Sequence, residues 1–246
     1  MSTSPDSSLA DRRVLLVGTG GVGAPCALTL AQAGLGTLVV VDEDRVEPEN
    51  LHRQILFSQA DIGESKPLAT KRAIERRGFA VRVEAIEGRA LPSTVADLLR
   101  GVHAVVDATD NFASRFLLAD ACFLAGVPVV HAAAVRWVGT VVSAAASGAP
   151  CYRCLFEDLP EEAPDCATAG IVGPVCGVVG AIAAEMALLA ATAKPRLWGH
   201  VATFDGRSDA LRLVAFRRRE HCPLCGREPS IHDLDETRYT GAVCAA

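Results

Sequence analysis

The sequence predicts an α/β fold, a Rossmann-like doubly wound sheet with a parallel N-terminal half, antiparallel C-terminal strands and a zinc knuckle. Three observations lead there. Up to His131, short apolar runs alternate with helix-length segments, the pattern of parallel strands covered on both faces. After His131 the texture changes, and one pair of strand-like runs is joined by the short turn Asp205-Gly206, as antiparallel strands are. Finally, Cys151-x-x-Cys154 and Cys222-x-x-Cys225 supply four thiolates, enough for a closed tetrahedral zinc site.

Taken in order, Arg13 to Val17 and Leu38 to Asp42 are strands flanking a glycine turn and a helix from Ala24 to Ala33, together a βαβ unit. Val81 to Ile86, Ala104 to Asp107 and Val127 to His131 repeat the strand signature, with helices expected over Ser93 to Arg100 and Ala113 to Ala125. Trp137 to Ala146 and the pair His200 to Phe204 and Ala210 to Phe216, joined at Asp205-Gly206, read as antiparallel strands. Asp158 to Asp165 is acidic and broken by two prolines, hence a loop. Gly170 to Ala193 is long and apolar enough to raise the question of a membrane span. Pro174, Glu185 and four glycines within it favour a helix buried in a protein core instead. Residues 1–227 are expected to form a single domain, followed by a polar tail over 228–246.

Composition narrows the function classes. With 246 residues, 50% hydrophobic, the chain can bury a full core. A net charge of −5 argues against a nucleic-acid partner, since phosphate neutralisation needs a concentrated basic surface; Arg217 to Arg219 is too short a run to supply one. Met1 to Ala10 shows no basic start and no apolar stretch, so a cytoplasmic location is expected. In that reducing compartment nine cysteines serve metal binding or catalysis better than disulfides.

Gly18-Thr19-Gly20-Gly21-Val22-Gly23 follows a strand and opens a helix, the context in which G-x-G-x-x-G binds phosphates. Glycines permit close backbone approach, and the helix N-terminus offers free N–H groups and partial positive charge. Asp42, 19 positions after Gly23, can accept hydrogen bonds from ribose hydroxyls. No P-loop is present, but Asn50, Arg53, Gln54 and Lys66 add two cations and two amides that suit a triphosphate. Asp110, just past the strand Ala104 to Asp107, should project from the carboxyl end of the sheet. There it can hold magnesium against a departing pyrophosphate, or cap the following helix.

The run from Val14 to Lys66, Asp110-Asn111 with Arg115, the Cys151-Tyr152-Arg153-Cys154 knuckle, Cys166-Ala167-Thr168-Ala169-Gly170 and Cys222-Pro223-Leu224-Cys225 together resemble the ThiF/MoeB/HesA family of ubiquitin-activating-enzyme-like adenylyltransferases. The Cys-x-Thr-Ala-Gly sequence looks closest to ThiF, the thiamin-branch member. The resemblance implies that Gly18, Gly20, Gly21, Gly23 and Asp42 bind the adenosine end of ATP. Asn50, Arg53 and Lys66 would hold its phosphates and Asp110 would coordinate Mg2+, with Gln54 and Asn111 also in the cofactor-binding site. It implies attack on ATP by the C-terminal glycine carboxylate of a ubiquitin-like sulfur carrier ending in Gly-Gly, then sulfur transfer from a donor. It also implies a homodimer, a structural Zn2+ on Cys151, Cys154, Cys222 and Cys225, and a covalent role for Cys166.

Cys26, Cys122 and Cys176 fall among small apolar helical residues and read as compact hydrophobes, Cys244 has no evident partner, and His52 and His131 read as structural. One departure stands out. The family's N-terminal helix with Arg-Tyr-x-Arg-Gln has no counterpart before Asp11, Arg12 and Arg13, which leaves a weakly catalytic paralogue or a carrier-docking adaptor open. An NAD-dependent oxidoreductase would share the glycine loop and Asp42, but gives no use to Arg53, Lys66 or the cysteine pairs.

Overall fold

In the computed structural model, which describes residues 9–145, 150–157, 170–193 and 198–239, strand β1 (Arg13–Val17) lies between β2 (Thr37–Asp42) and β4 (Ala104–Asp107), parallel to both. Beyond β2 comes β3 (Arg82–Glu87), and beyond β4 comes β5 (Val129–Val135), also parallel. The antiparallel strands β6 (Val138–Ala144), β7 (His200–Asp205) and β8 (Ala210–Ala215) complete an eight-stranded sheet of order β3-β2-β1-β4-β5-β6-β7-β8. The mixed sheet is the one the sequence predicts.

Successive residues of β1 point to opposite faces and both faces are covered, which is why the strand is apolar throughout. Val14 and Leu16 join the core under α1 (Gly23–Gln32), α2 (Lys66–Glu75) and α5 (Gly173–Ala191). Leu15 and Val17 join the core under the short α3 (Val95–Leu98) and α4 (Phe112–Ala125). Because the chain winds outward in both directions from β1, the strand order reverses between β1 and β4, at whose carboxyl ends such sheets bind ligands. The apolar helix α5 packs against α1 and the sheet, so it serves as a core helix.

Three boundaries differ from expectation. Helix α2 is missing from the sequence reading because its stretch is Lys/Arg-rich and its buried face, Lys66, Pro67, Ala69, Thr70, Ala73 and Ile74, includes polar residues. The helix expected over Ser93 to Arg100 contracts to the one turn of α3. Strand β5 continues past His131 to Val135, since its small alanines pair with β6. The acidic segment Asp158 to Asp165, Cys166 and Cys244 lie outside the described residues.

Past the second cysteine pair the chain is tied back to the domain. Ile231 and Tyr239 are buried, and the Tyr239 hydroxyl donates to Asp120 Oδ2 at 2.9 Å. Arg153 donates to the same carboxylate twice, at 2.7 and 2.8 Å. Three donors on a fully buried carboxylate offset the desolvation that would otherwise make it costly.

Gly180 on α5 lets that helix approach the start of α1; a Cβ there would lie 2.6 Å from the Val22 carbonyl oxygen and 2.7 Å from Pro25. Gly180→Val is expected to destabilise the fold by about 1–3 kcal/mol through overpacking. Denaturant unfolding measures this, and an unchanged midpoint would show that the two helices have room to separate.

Candidate nucleotide and metal sites

Gly18 closes β1 with φ +87, and a Cβ on it would lie 2.8 Å from the Ala108 carbonyl oxygen. Glycine therefore suits both the turn and the close approach of the loop after β4. Gly23 is required for packing: its Cβ would lie 2.0 Å from the Gly18 carbonyl oxygen. No side chain caps the N-terminus of α1; within its first turn the Ala24 and Cys26 amides donate to the Gly20 and Val22 carbonyl oxygens at 3.0 and 3.2 Å and Pro25 carries no N–H, so an anion here would be met by the loop amides from Gly20 to Gly23.

A cleft of about 260 Å³ opens over this loop, and Gly18, Gly20, Gly21 and Asp42 line it. Gly23 is not among the lining residues. Asp42 first acts as a clamp: Oδ2 accepts from the Thr19 amide at 2.7 Å and hydroxyl at 2.9 Å, and Oδ1 accepts from the Asp44 amide at 2.9 Å. A carboxylate has about four lone-pair sites, so a ribose hydroxyl would find one left.

Asn50, Arg53, Gln54 and Lys66 line the same cleft. The Arg53 stem lies over the loop, 3.3 Å from where a Gly21 Cβ would be. Asn50 donates to Glu47 at 3.0 Å. Gln54 is 2% exposed, and its Oε1 finds no hydrogen-bond partner among the described residues. An orphaned buried acceptor of this kind costs about 1–3 kcal/mol, which fits a ligand bearing a donor. Lys66 begins α2 and is 5% exposed; Asp44 accepts from its amide at 2.9 Å and from Nζ at 2.6 Å.

Asp110 and Asn111 line the opposite wall. The helix cap weighed for Asp110 falls to its neighbour: Asn111 Oδ1 accepts from the Ser114 amide at 2.8 Å. Asn111 sits in the extended region that an N-cap needs, so Asp110 is left at the cleft without that duty. Arg115, noted in the sequence only as part of a motif, also lines the cleft, anchored on the carbonyl oxygens of Thr109 and Ala132.

Beneath Asp110, Asp107 Oδ1 accepts from the Thr109 amide and hydroxyl at 3.0 and 2.6 Å, and Oδ2 bonds His131 Nδ1 at 2.7 Å. Burial alone would raise the Asp107 carboxyl, but Arg115 and the bonded His131 outweigh it and hold it below the usual carboxylate range. The other ring noted from sequence, His52, bonds the Glu49 carbonyl oxygen through Nδ1 at 2.7 Å.

Away from the cleft, Cys151, Cys154, Cys222 and Cys225 gather with all four sulfurs within 4.8 Å of one another, all buried. Sγ to Sγ distances are 3.9 Å for Cys151–Cys154, 3.5 Å for Cys151–Cys222 and 3.4 Å for Cys154–Cys225. Tetrahedral Zn–S bonds of about 2.3 Å imply sulfurs about 3.8 Å apart, so the cluster fits a zinc site. Cys26, Cys122 and Cys176 are buried in helices, as expected, and burial pushes the Cys26 thiol up to about 12. Arg13 is committed to Glu84 through two bonds of 2.9 and 2.6 Å.

The ThiF family model matches residues 4–224. The chain belongs to the ThiF family. Among curated ThiF-type relatives, the SAMP-activating enzyme E1 of Haloferax volcanii is 40% identical over 232 residues, spanning 92% of this chain and 86% of the relative. The sulfur carrier protein ThiS adenylyltransferase of Escherichia coli K12 is 37% identical over 219 residues, spanning 89% and 87%. The adenylyltransferase and sulfurtransferase MOCS3 of Dictyostelium discoideum is 36% identical over 245 residues, and this chain spans only 58% of it. Among solved structures, E. coli MccB with ATP shares the fold at a TM-score of 0.74 and 22% identity, over 89% of this chain and 67% of that one.

If Asn111 caps α4, Asn111→Ala should cost about 1 kcal/mol of stability, while Asp110→Ala should stay within about 0.5 kcal/mol of the parent. Denaturant midpoints of the two variants decide it; the reverse ranking would return the cap to Asp110.

Proposed function

We propose that this chain uses ATP to adenylylate the C-terminal glycine carboxylate of a ubiquitin-like sulfur-carrier protein. The observation that carries the reading is one cleft holding the glycine loop, Asp42, Arg53, Lys66 and Asp110, in a chain of the ThiF family. Relatives covered over most of their length are named as adenylyltransferases of sulfur carrier proteins.

In the proposed reaction, a carboxylate oxygen of the carrier attacks the α-phosphorus, the bond to the β-phosphate oxygen breaks, and pyrophosphate leaves. Carboxylate and triphosphate repel each other, so the work of the protein is neutralisation and alignment. The glycine-loop amides would hold phosphate oxygens, Asp42 the ribose, Arg53 and Lys66 the phosphate charge, and Gln54 Oε1 would accept a hydrogen bond from a hydroxyl or N–H of the bound reactants. Asp110 would hold a magnesium ion, which when bound supplies further neutralisation of the pyrophosphate. The acyl-adenylate would then accept sulfur from a separate donor, and the chain would work as a homodimer.

The four-cysteine cluster would bind one zinc ion per chain. With all four positions protein-filled no site remains for water, so its role is to fasten the segment after β8 to the turn after β6.

Carrier-dependent ATP–pyrophosphate exchange is expected with a carrier ending in Gly-Gly, and Asp110→Ala should lower it at least about 100-fold. Tight ATP binding without exchange across a panel of carriers would favour the adaptor reading instead. Metal analysis of freshly purified protein should find about one zinc per chain, and chelation should lower thermal stability because metal binding and folding are coupled. Less than one zinc per two chains would contradict the assignment.

A further inference from the structure

The proposed function puts a magnesium ion on Asp110, yet among the described residues the Asp110 carboxylate makes no hydrogen bond or ion pair. Asp110 is exposed at the cleft, and the helix cap belongs to Asn111. The turn 108–110 after β4 must therefore aim the carboxylate. Magnesium keeps near-ideal octahedral geometry at about 2.0–2.1 Å and tolerates little misplacement of a ligand. Whatever fixes that turn decides whether the carboxylate stands ready for the ion.

Two ties hold it, and both reach β5. On the amide side, Asp107 Oδ1 accepts from the Thr109 amide and hydroxyl at 3.0 and 2.6 Å, while Oδ2 lies 2.7 Å from His131 Nδ1. On the carbonyl side, Arg115 donates to the Thr109 and Ala132 carbonyl oxygens. Asp107 and His131 are partners in the parallel register of β4 and β5, and their side chains are 0% and 1% exposed. Burial would raise the Asp107 carboxyl, but Arg115 and the bonded His131 hold it below the usual carboxylate range. An ionised carboxylate only accepts, so Nδ1 donates whatever the state of Nε2. Tyr152 packs on the imidazole with centroids 4.3 Å apart and limits its rotation. A buried carboxylate that loses such a donor is left with an unsatisfied oxygen and turns toward another. Here the Thr109 turn would move with it.

We propose that Asp107 and His131 are positioning residues for Asp110, and that the tie from β5 through them to the Thr109 turn sets where the metal-binding carboxylate stands. This inference rests on the function proposed above, in which Asp110 holds magnesium. Neither residue lines the nucleotide cleft, so both act through Asp110 and not by contact with nucleotide or ion. Breaking the tie weakens the hold on the metal and leaves the nucleotide its contacts at Asp42, Arg53 and Lys66.

The test is Mn2+ binding, read by electron paramagnetic resonance with Mn2+ in place of Mg2+ and the α,β-methylene analogue of ATP bound. His131→Leu should raise the Mn2+ Kd about tenfold, the lower end of what outer partners of metal ligands contribute, with metal-free nucleotide affinity within about twofold of the parent. His131→Asn, whose side-chain amide puts an N–H where Nδ1 stands, should restore most of the loss. In an Asp110→Ala background, where the nucleotide phosphates hold the ion, His131→Leu should add less than about twofold, because the two changes remove one interaction. If His131→Leu fails to fold, Thr109→Val, which deletes the hydroxyl bond to Asp107, should raise the Kd in the same direction, and the same cycle with Asp110→Ala decides. An unchanged Mn2+ Kd in these variants, or an undiminished effect in the Asp110→Ala background, overturns the inference alone. If Asp110→Ala by itself binds Mn2+ as the parent does, the metal role given to Asp110 in the proposed function falls with it.

Discussion

The ammonium of Lys66, almost wholly withdrawn from water at the start of α2, is the constraint around which the cleft is arranged. A buried charge is tolerable only with a partner, and the partner here is Asp44, whose side chain is 61% exposed. The pairing is asymmetric: the cation is fixed, while the anion sits at the rim with little packing to hold it. A phosphate group arriving from solvent can replace the carboxylate and leave Lys66 no less satisfied. In the proposed chemistry the carboxylate acts as a placeholder that keeps the cation in position until the substrate supplies its own negative charge.

The surrounding architecture serves the same end. Reversal of strand order between β1 and β4 leaves a crevice at the carboxyl ends of both strands, where the glycine loop lies on one side and Asp110 on the other. Asp42 draws the loop to β2, and Asp107 draws the turn carrying Asp110 to β5. Two buried carboxylate networks, at Asp107 and at Asp120, thus hold the polar parts of the α4 side in register. The cysteine cluster extends that support by fixing Tyr152 and Arg153 between the two.

Much of this was legible from residues alone, for identifiable reasons. The parallel half could be read because strands covered on both faces must be continuously apolar. The glycine loop and cysteine pairs could be read because their chemistry depends on local spacing. Helix α2 escaped because its buried face mixes the polar Lys66 and Thr70 with Ala69, Ala73 and Ile74, so no apolar stripe marks it. The cap on α4, offered for Asp110 as one of two readings, lies on Asn111 because Asp and Asn are equally good caps and only backbone geometry separates the two. The Asp107–His131 pair was invisible because it joins residues 24 apart through sheet register, which no linear motif encodes. The buried anchor at Tyr239 was hidden by the polar composition around it.

The central claim, that Lys66 exchanges Asp44 for a phosphate, is tested most directly by ATP affinity measured calorimetrically for Lys66→Met and Asp44→Asn. The account predicts opposite shifts: binding weakened at least tenfold by the first and strengthened by the second, which removes the competing anion. Unchanged affinity in Lys66→Met, or weakened binding in Asp44→Asn, would contradict it.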